Sequence, residues 1–124
     1  MKRPLSTPSS APRIRILSGS EVALGPGKAD LLRAIDDTGS ISAAARQMGM
    51  SYRRAWLLVH TMNECFRSPL VEAIKGGAEG GGARLTKTGR DVLSHYQDVV
   101  RLAADHFSAY LRPRATRKRS LTRS

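Results

Sequence analysis

Apolar and polar positions change period along the chain, and the changes mark out its elements. Arg13-Ile14-Arg15-Ile16-Leu17 alternates polar with apolar, the two-residue period of a half-buried strand. Ser18-Gly19-Ser20 is turn chemistry, and Glu21–Leu24 can return as the second arm of a hairpin. Gly25-Pro26-Gly27 breaks that run. Leu31, Leu32 and Ile35 then recur at helical spacing over about 28–38, with Gly39 as the stop. Ser40 and Ser42 offer capping oxygens to a short helix built on Ala43-Ala44-Ala45-Arg46-Gln47-Met48. Gly49 ends it, and Ser51 caps a third helix with apolar residues at Ala55, Val59, Met62 and Phe66, closed by Pro69. Residues 70–74 read as a strand, 75–82 as a Gly-rich loop and 83–86 as a short return strand. Thr86 or Thr88 caps a last helix reaching about Leu111. The predicted order is β-β-α-α-α-β-β-α, with no internal repeat.

The informative stretch runs from Ile41 to Met62. Two short helices cross closely when the first offers a small residue, the turn a glycine, and the flanks apolar side chains. Ala45, Gly49, and Met48 with Met50 meet those needs, and Ala55 and Val59 point inward from the second helix. A strand–loop–strand hairpin follows at the distance of a wing. The predicted fold is therefore mainly α with small β-hairpins, a winged helix-turn-helix with a long C-terminal dimerisation helix.

With Ala55, Val59 and Met62 inward, the third helix turns Ser51, Tyr52, Arg53, Arg54, Leu57 and His60 outward. The N-terminal residues of such a helix reach base edges, and an arginine fork matches guanine O6 and N7. Arg53 and Arg54 are the candidates for readout, while Ser51 and Tyr52 suit phosphates, which position without specifying. Ser42 joins this set at the start of the preceding helix. An outward Leu57 suits a thymine methyl, the sugar backbone or another subunit. Trp56, beside the buried stripe, reads as a ring packed on the domain's edge. On the wing, Gly80, Gly81 and Gly82 allow the backbone close to a phosphate, with Lys75 and Arg84 flanking. The glycines do not open a P-loop, because Ala83-Arg84-Leu85-Thr86 continues as strand rather than as Lys-Ser/Thr on a helix.

The last helix is apolar over a wide arc. Val92, Tyr96, Val99, Ala103, Phe107 and Tyr110 form one stripe; Leu93, Val100, Ala104 and Leu111 form another. One stripe closes a domain of this size, so the surplus points to a second copy. Leu93, Tyr96, Val100, Ala104, Phe107 and Leu111 are the expected homodimer interface. A dimer presents two recognition helices to half-sites about 34–36 Å apart.

Composition agrees and then sharpens. The 124 residues, 13.5 kDa in all, suffice for one domain. The net charge of +11, from 21 Lys and Arg against 10 Asp and Glu, points to a polyanion. Eight of the bases lie in residues 1–12 and 112–124, which contain no acid. Both segments are poor in large apolar residues and are expected to be disordered tails around a domain at 13–111. Residues 38–90 hold eight bases against three acids, and no acid lies between Asp37 and Glu64. No apolar run approaches a membrane span, and the N-terminus lacks a secretory signal, so a cytoplasmic protein without a membrane is expected. The single Cys65 and the scattered His60, His95 and His106 suggest no metal site. No nucleophile–base pair is present, so neither an enzyme nor a cofactor is expected.

Gly39-Ser40-Ile41-Ser42-Ala43-Ala44-Ala45, Gly49-Met50-Ser51-Tyr52-Arg53-Arg54-Ala55-Trp56, Met62-Asn63 and the glycine run to Ala83-Arg84-Leu85-Thr86 together resemble a known domain. It is the N-terminal DNA-binding domain of ModE-type molybdate-responsive regulators, itself similar to the winged helix of LysR-type regulators. The resemblance covers about residues 13–111. It implies a dimeric bacterial transcription regulator, often repressing molybdate-uptake genes, with double-stranded DNA as partner. By position, Ser51, Tyr52, Arg53 and Arg54 open the recognition helix and Gly80 to Gly82 form the wing; Trp56 falls in a family box, which favours a structural role. Two-part members sense molybdate through a C-terminal pair of small β-barrel domains. This sequence resembles the stand-alone form, for which molybdate is not an expected ligand and the effector is open. Two other readings compete: a nucleoid-type protein held by charge, and a small-oxyanion binder using the Gly-rich loop and Arg84.

Overall fold

The computed structural model describes residues 11–75 and 82–113. Of the expected tails, 1–10 and 114–124 lie outside the described residues, and Ala11 packs against the core. The elements are β1 (Ile16–Ser18), β2 (Glu21–Leu24), α1 (Pro26–Thr38), α2 (Ile41–Gln47), α3 (Tyr52–Cys65), β3 (Val71–Ile74), β4 (Gly82–Leu85) and α4 (Lys87–Ser108). Their order is the predicted one. Each strand pair forms its own antiparallel hairpin, β1 with β2 and β3 with β4.

Boundaries depart where backbone chemistry decides. The Gly25-Pro26-Gly27 break is in fact the start of α1, with extended Gly25 as cap and Pro26 in the first turn, where a missing N–H costs nothing. α4 stops at Ser108 rather than near Leu111, where Tyr110 and Leu111 make short-turn bonds to Phe107 and Ser108. Pro113 disfavours helical geometry in the residue before it. β1 is shorter than the alternating run and exposed throughout; Ile14, just before it, is the residue that packs inward.

Burial centres on α1, where 31–35 are all buried, Arg33 included. Leu24, Leu31, Leu32, Ile35, Met62, Leu70 and Leu85 are its largest fully buried side chains. From α4, Gly89, Leu93, Tyr96 and Val100 face this core at spacings of four, three and four. The Tyr96 hydroxyl donates to the Ile14 carbonyl at 2.6 Å, fastening the segment before β1 to α4. Burial raises the Asp30 carboxyl above its ordinary range, against the pull of Arg33 and Arg13. Tyr96 is raised too, first by burial and then by the Asp30 charge.

Candidate nucleic-acid interface

The corner between α2 and α3 is built as its residues require. Ser40 Oγ accepts from the Ala43 N–H at 2.9 Å and caps α2; Ser51 Oγ accepts from the Arg54 N–H at 3.1 Å and caps α3. Gly49 has φ 70°, the left-handed turn that favours glycine, and the Met50 N–H returns to the Ala45 carbonyl at 2.9 Å. Ala45 and Ala55 are the buried small contacts, and Met48 and Met50 pack on the core beside them.

Burial of Ala55, Val59 and Met62 fixes the faces of α3. Opposite them, at helical spacing, lie Arg53, Leu57, His60 and Glu64, all exposed. Arg54 stands on one flank with half-buried Leu58 and Thr61, and Tyr52 and Trp56 stand on the other. Arg53 and Arg54, paired in sequence, are thus not equivalent in space. Neither side chain has a hydrogen-bond or ion-pair partner among the described residues. Trp56 is 45% exposed, its ring stacked on His60 with centroids 5.2 Å apart and planes within 5°.

On the Trp56 side, α3 faces the wing across a groove of about 450 Å³, whose lining includes Ser40, Ser42, Tyr52, Trp56, Asn63 and Glu72. Two connections set its width. Asn63 on α3 is bonded to the root of β3: its Oδ1 accepts from the N–H groups of Leu70 and Val71 at 2.8 and 3.2 Å, and its Nδ2 donates to the Val71 carbonyl at 3.1 Å. At the other edge, the Ala83 N–H donates to the Gly39 carbonyl at 3.0 Å. A Cβ on Gly82 would lie 2.6 Å from that carbonyl oxygen. Asn63 appeared in the sequence only within the Met62-Asn63 resemblance. The available signal was an amide side chain near a helix end, suited to bonding backbone beyond it.

Several expected site residues change role. Gly82 is needed for close approach to Gly39, a demand the sequence did not show; Gly80 and Gly81 lie outside the described residues. Arg84 is not free on the wing's flank: the register sets it opposite Glu72, and its Nε lies 2.8 Å from Glu72 Oε2. Lys75 is exposed just past β3. Ser42 is exposed, its Oγ within 3.5 Å of Arg46, while the Ser51 oxygen is engaged as the α3 cap. On α4, Leu93, Tyr96 and Val100 are buried in the chain's own core and offer no surface to a partner. Ala104 is half-buried, and Phe107 and Leu111 are exposed, as are Val99, Leu102 and Tyr110. β1 adds exposed Ile16 and Leu17, and an apolar hollow of about 220 Å³ lies between it and α4, with Ile16, Phe66, Val92 and Val99 in its walls.

Two crossed helices with a capped glycine turn, backed by a hairpin at the side of the second, define a winged helix-turn-helix, a fold that places its second helix against double-stranded DNA. The profile of bacterial regulatory helix-turn-helix proteins of the LysR family matches residues 28–90. The chain belongs to that family. Among curated relatives, it is 44% identical over 95 residues to the molybdenum-pterin-binding protein MopB of Rhodobacter capsulatus, covering 77% of this chain and 35% of that one. It is 41% identical over 75 residues to the molybdenum transport protein ModE of Azotobacter vinelandii, with 60% and 28% covered. Against the DNA-binding transcriptional dual regulator ModE of Escherichia coli K12 it is 37% identical over 82 residues, with 66% and 31% covered. The chain thus spans about a third of the length of these relatives.

Proposed function

We propose that the chain is a sequence-specific DNA-binding transcription regulator, working as a homodimer in the bacterial cytoplasm on genes related to molybdenum. The observation that carries the reading is the outward face of α3. It puts Arg53 in the first turn and Leu57 and His60 behind it, with the wing alongside and no acid between Asp37 and Glu64. The names of the relatives, two of them ModE proteins of molybdenum transport or transcriptional regulation, support the link to molybdenum. The reading requires no catalytic step. No described helix is long and apolar enough to cross a membrane.

The two arginines should separate in a binding titration. Arg53→Ala should cost about 1–3 kcal/mol on the cognate site and relax preference at one base position. Arg54→Ala, on the flank, should weaken all duplexes alike and reduce the slope of log K on log salt by about 1. Wild-type protein binding scrambled and promoter DNA equally at ~150 mM salt would return the chain to a charge-held nucleoid type, since specific sites normally bind ~10³-fold or more tighter.

Dimerisation is assigned to the distal half of α4 together with β1. Beyond Val100 no described α4 residue is buried, yet Leu102 (66% exposed), Phe107, Tyr110 and Leu111 continue the apolar surface. Leu102→Glu should leave the domain folded and convert a sedimenting dimer to monomer at micromolar concentration. A wild-type monomer there, or a variant that stays dimeric, removes the assignment.

A further inference from the structure

We infer that Leu57 reads a thymine, packing its side chain on the C5-methyl group in the major groove, an assignment that rests on α3 being the DNA-facing helix proposed above. Leu57 is 47% exposed and lies at the centre of the face opposite the core. Arg53 precedes it by one turn and His60 follows by one, so it is an apolar residue within a polar stripe. A lone exposed leucine on an ordinary surface needs no explanation. On this stripe it stands where base edges would be, while the apolar surface left for a second copy is built from β1 and α4.

Leucine has neither donor nor acceptor, so it is blind to the hydrogen-bonding edges of the four bases. The thymine methyl is the apolar group that the major groove displays, and apolar side chains recognise it by contact. Four residues of helix advance about 6 Å, close to two base-pair steps, which sets the expected offset between this thymine and the guanine gripped by Arg53. Arg53 and Leu57 would then read one short sequence from one helix face.

The test begins with a pool of random duplexes selected on the full chain. The best-bound duplex is resynthesised with each thymine in turn replaced by deoxyuridine, which removes only the methyl group. One replacement should lower affinity about fourfold, the value of burying one methyl-sized group. Leu57→Ala, folded by circular dichroism, should bind the thymine and uracil versions equally. A duplex with no sensitive thymine, or a sensitivity that persists in Leu57→Ala, overturns the assignment and leaves the DNA reading intact. A pool that yields no enriched sequence overturns both.

Discussion

Gly89→Ala should destabilise the chain by about 3 kcal/mol, although helix propensity alone favours alanine by about 1 kcal/mol. Gly89 lies in the first turn of α4, where the Thr86 hydroxyl accepts its N–H at 2.9 Å. A Cβ there would sit 2.1 Å from the Leu70 carbonyl oxygen and 2.9 Å from its carbon, both backbone atoms that cannot rotate away. The same carbonyl accepts from the Thr86 N–H at 2.9 Å. Relief of the clash therefore breaks the cap of α4 or lifts the helix from the root of β3. Gly27→Ala in α1, with nothing within 4 Å of the new atom, is the control and should be neutral or stabilising. Urea midpoints for the two variants check the contrast. Equal midpoints would show that α4 can shift freely at its start.

Asn63→Ala should cost about 3 kcal/mol and loosen the wing before the rest of the domain. Three hydrogen bonds disappear together, each worth about 1 kcal/mol net. The Leu70 and Val71 amides, left without their acceptor, should gain hydrogen-exchange rate well beyond that of the α1 amides. Asn63→Asp keeps the acceptor oxygens and loses the donor, so it should fall between wild type and alanine. If the alanine variant unfolds within about 1 kcal/mol of wild type, the bracket contributes little and the groove is held from the Gly39 side.

The order of elements was legible because each carries its own local signal. Ser40, Ser51 and Thr86 cap the helices in the structure, and Gly39 and Gly49 take the positive φ that their positions suggested. The inward set of α3 was legible for the same reason, being a property of one helix alone. What escaped depends on pairs distant in sequence. Nothing local to Arg84 reveals that the β3–β4 register sets Glu72 across from it, and nothing near Gly82 points to the carbonyl of Gly39. On α4 the two apolar stripes are alike in composition. Packing against α1 took Leu93, Tyr96 and Val100 inward and left Val99, Leu102 and Phe107 out. The charge total was a poor guide to the site, since most of it belongs to residues 1–12 and 112–124, whereas the outward face of α3 depends on where two arginines stand.

The wing is moored twice, by Asn63 on α3 to the root of β3 and by the Ala83–Gly39 bond from β4 to the turn between α1 and α2. Helix and wing therefore behave as the two jaws of a fixed-gauge caliper. On the proposed DNA reading, a duplex bound by α3 and the wing must bring its own groove to that gauge, and the energy of doing so depends on the stiffness of base steps the protein never touches. Part of the discrimination would then be exercised by DNA mechanics and not by side chains, and it would survive the loss of any single contact residue while failing when either mooring is cut.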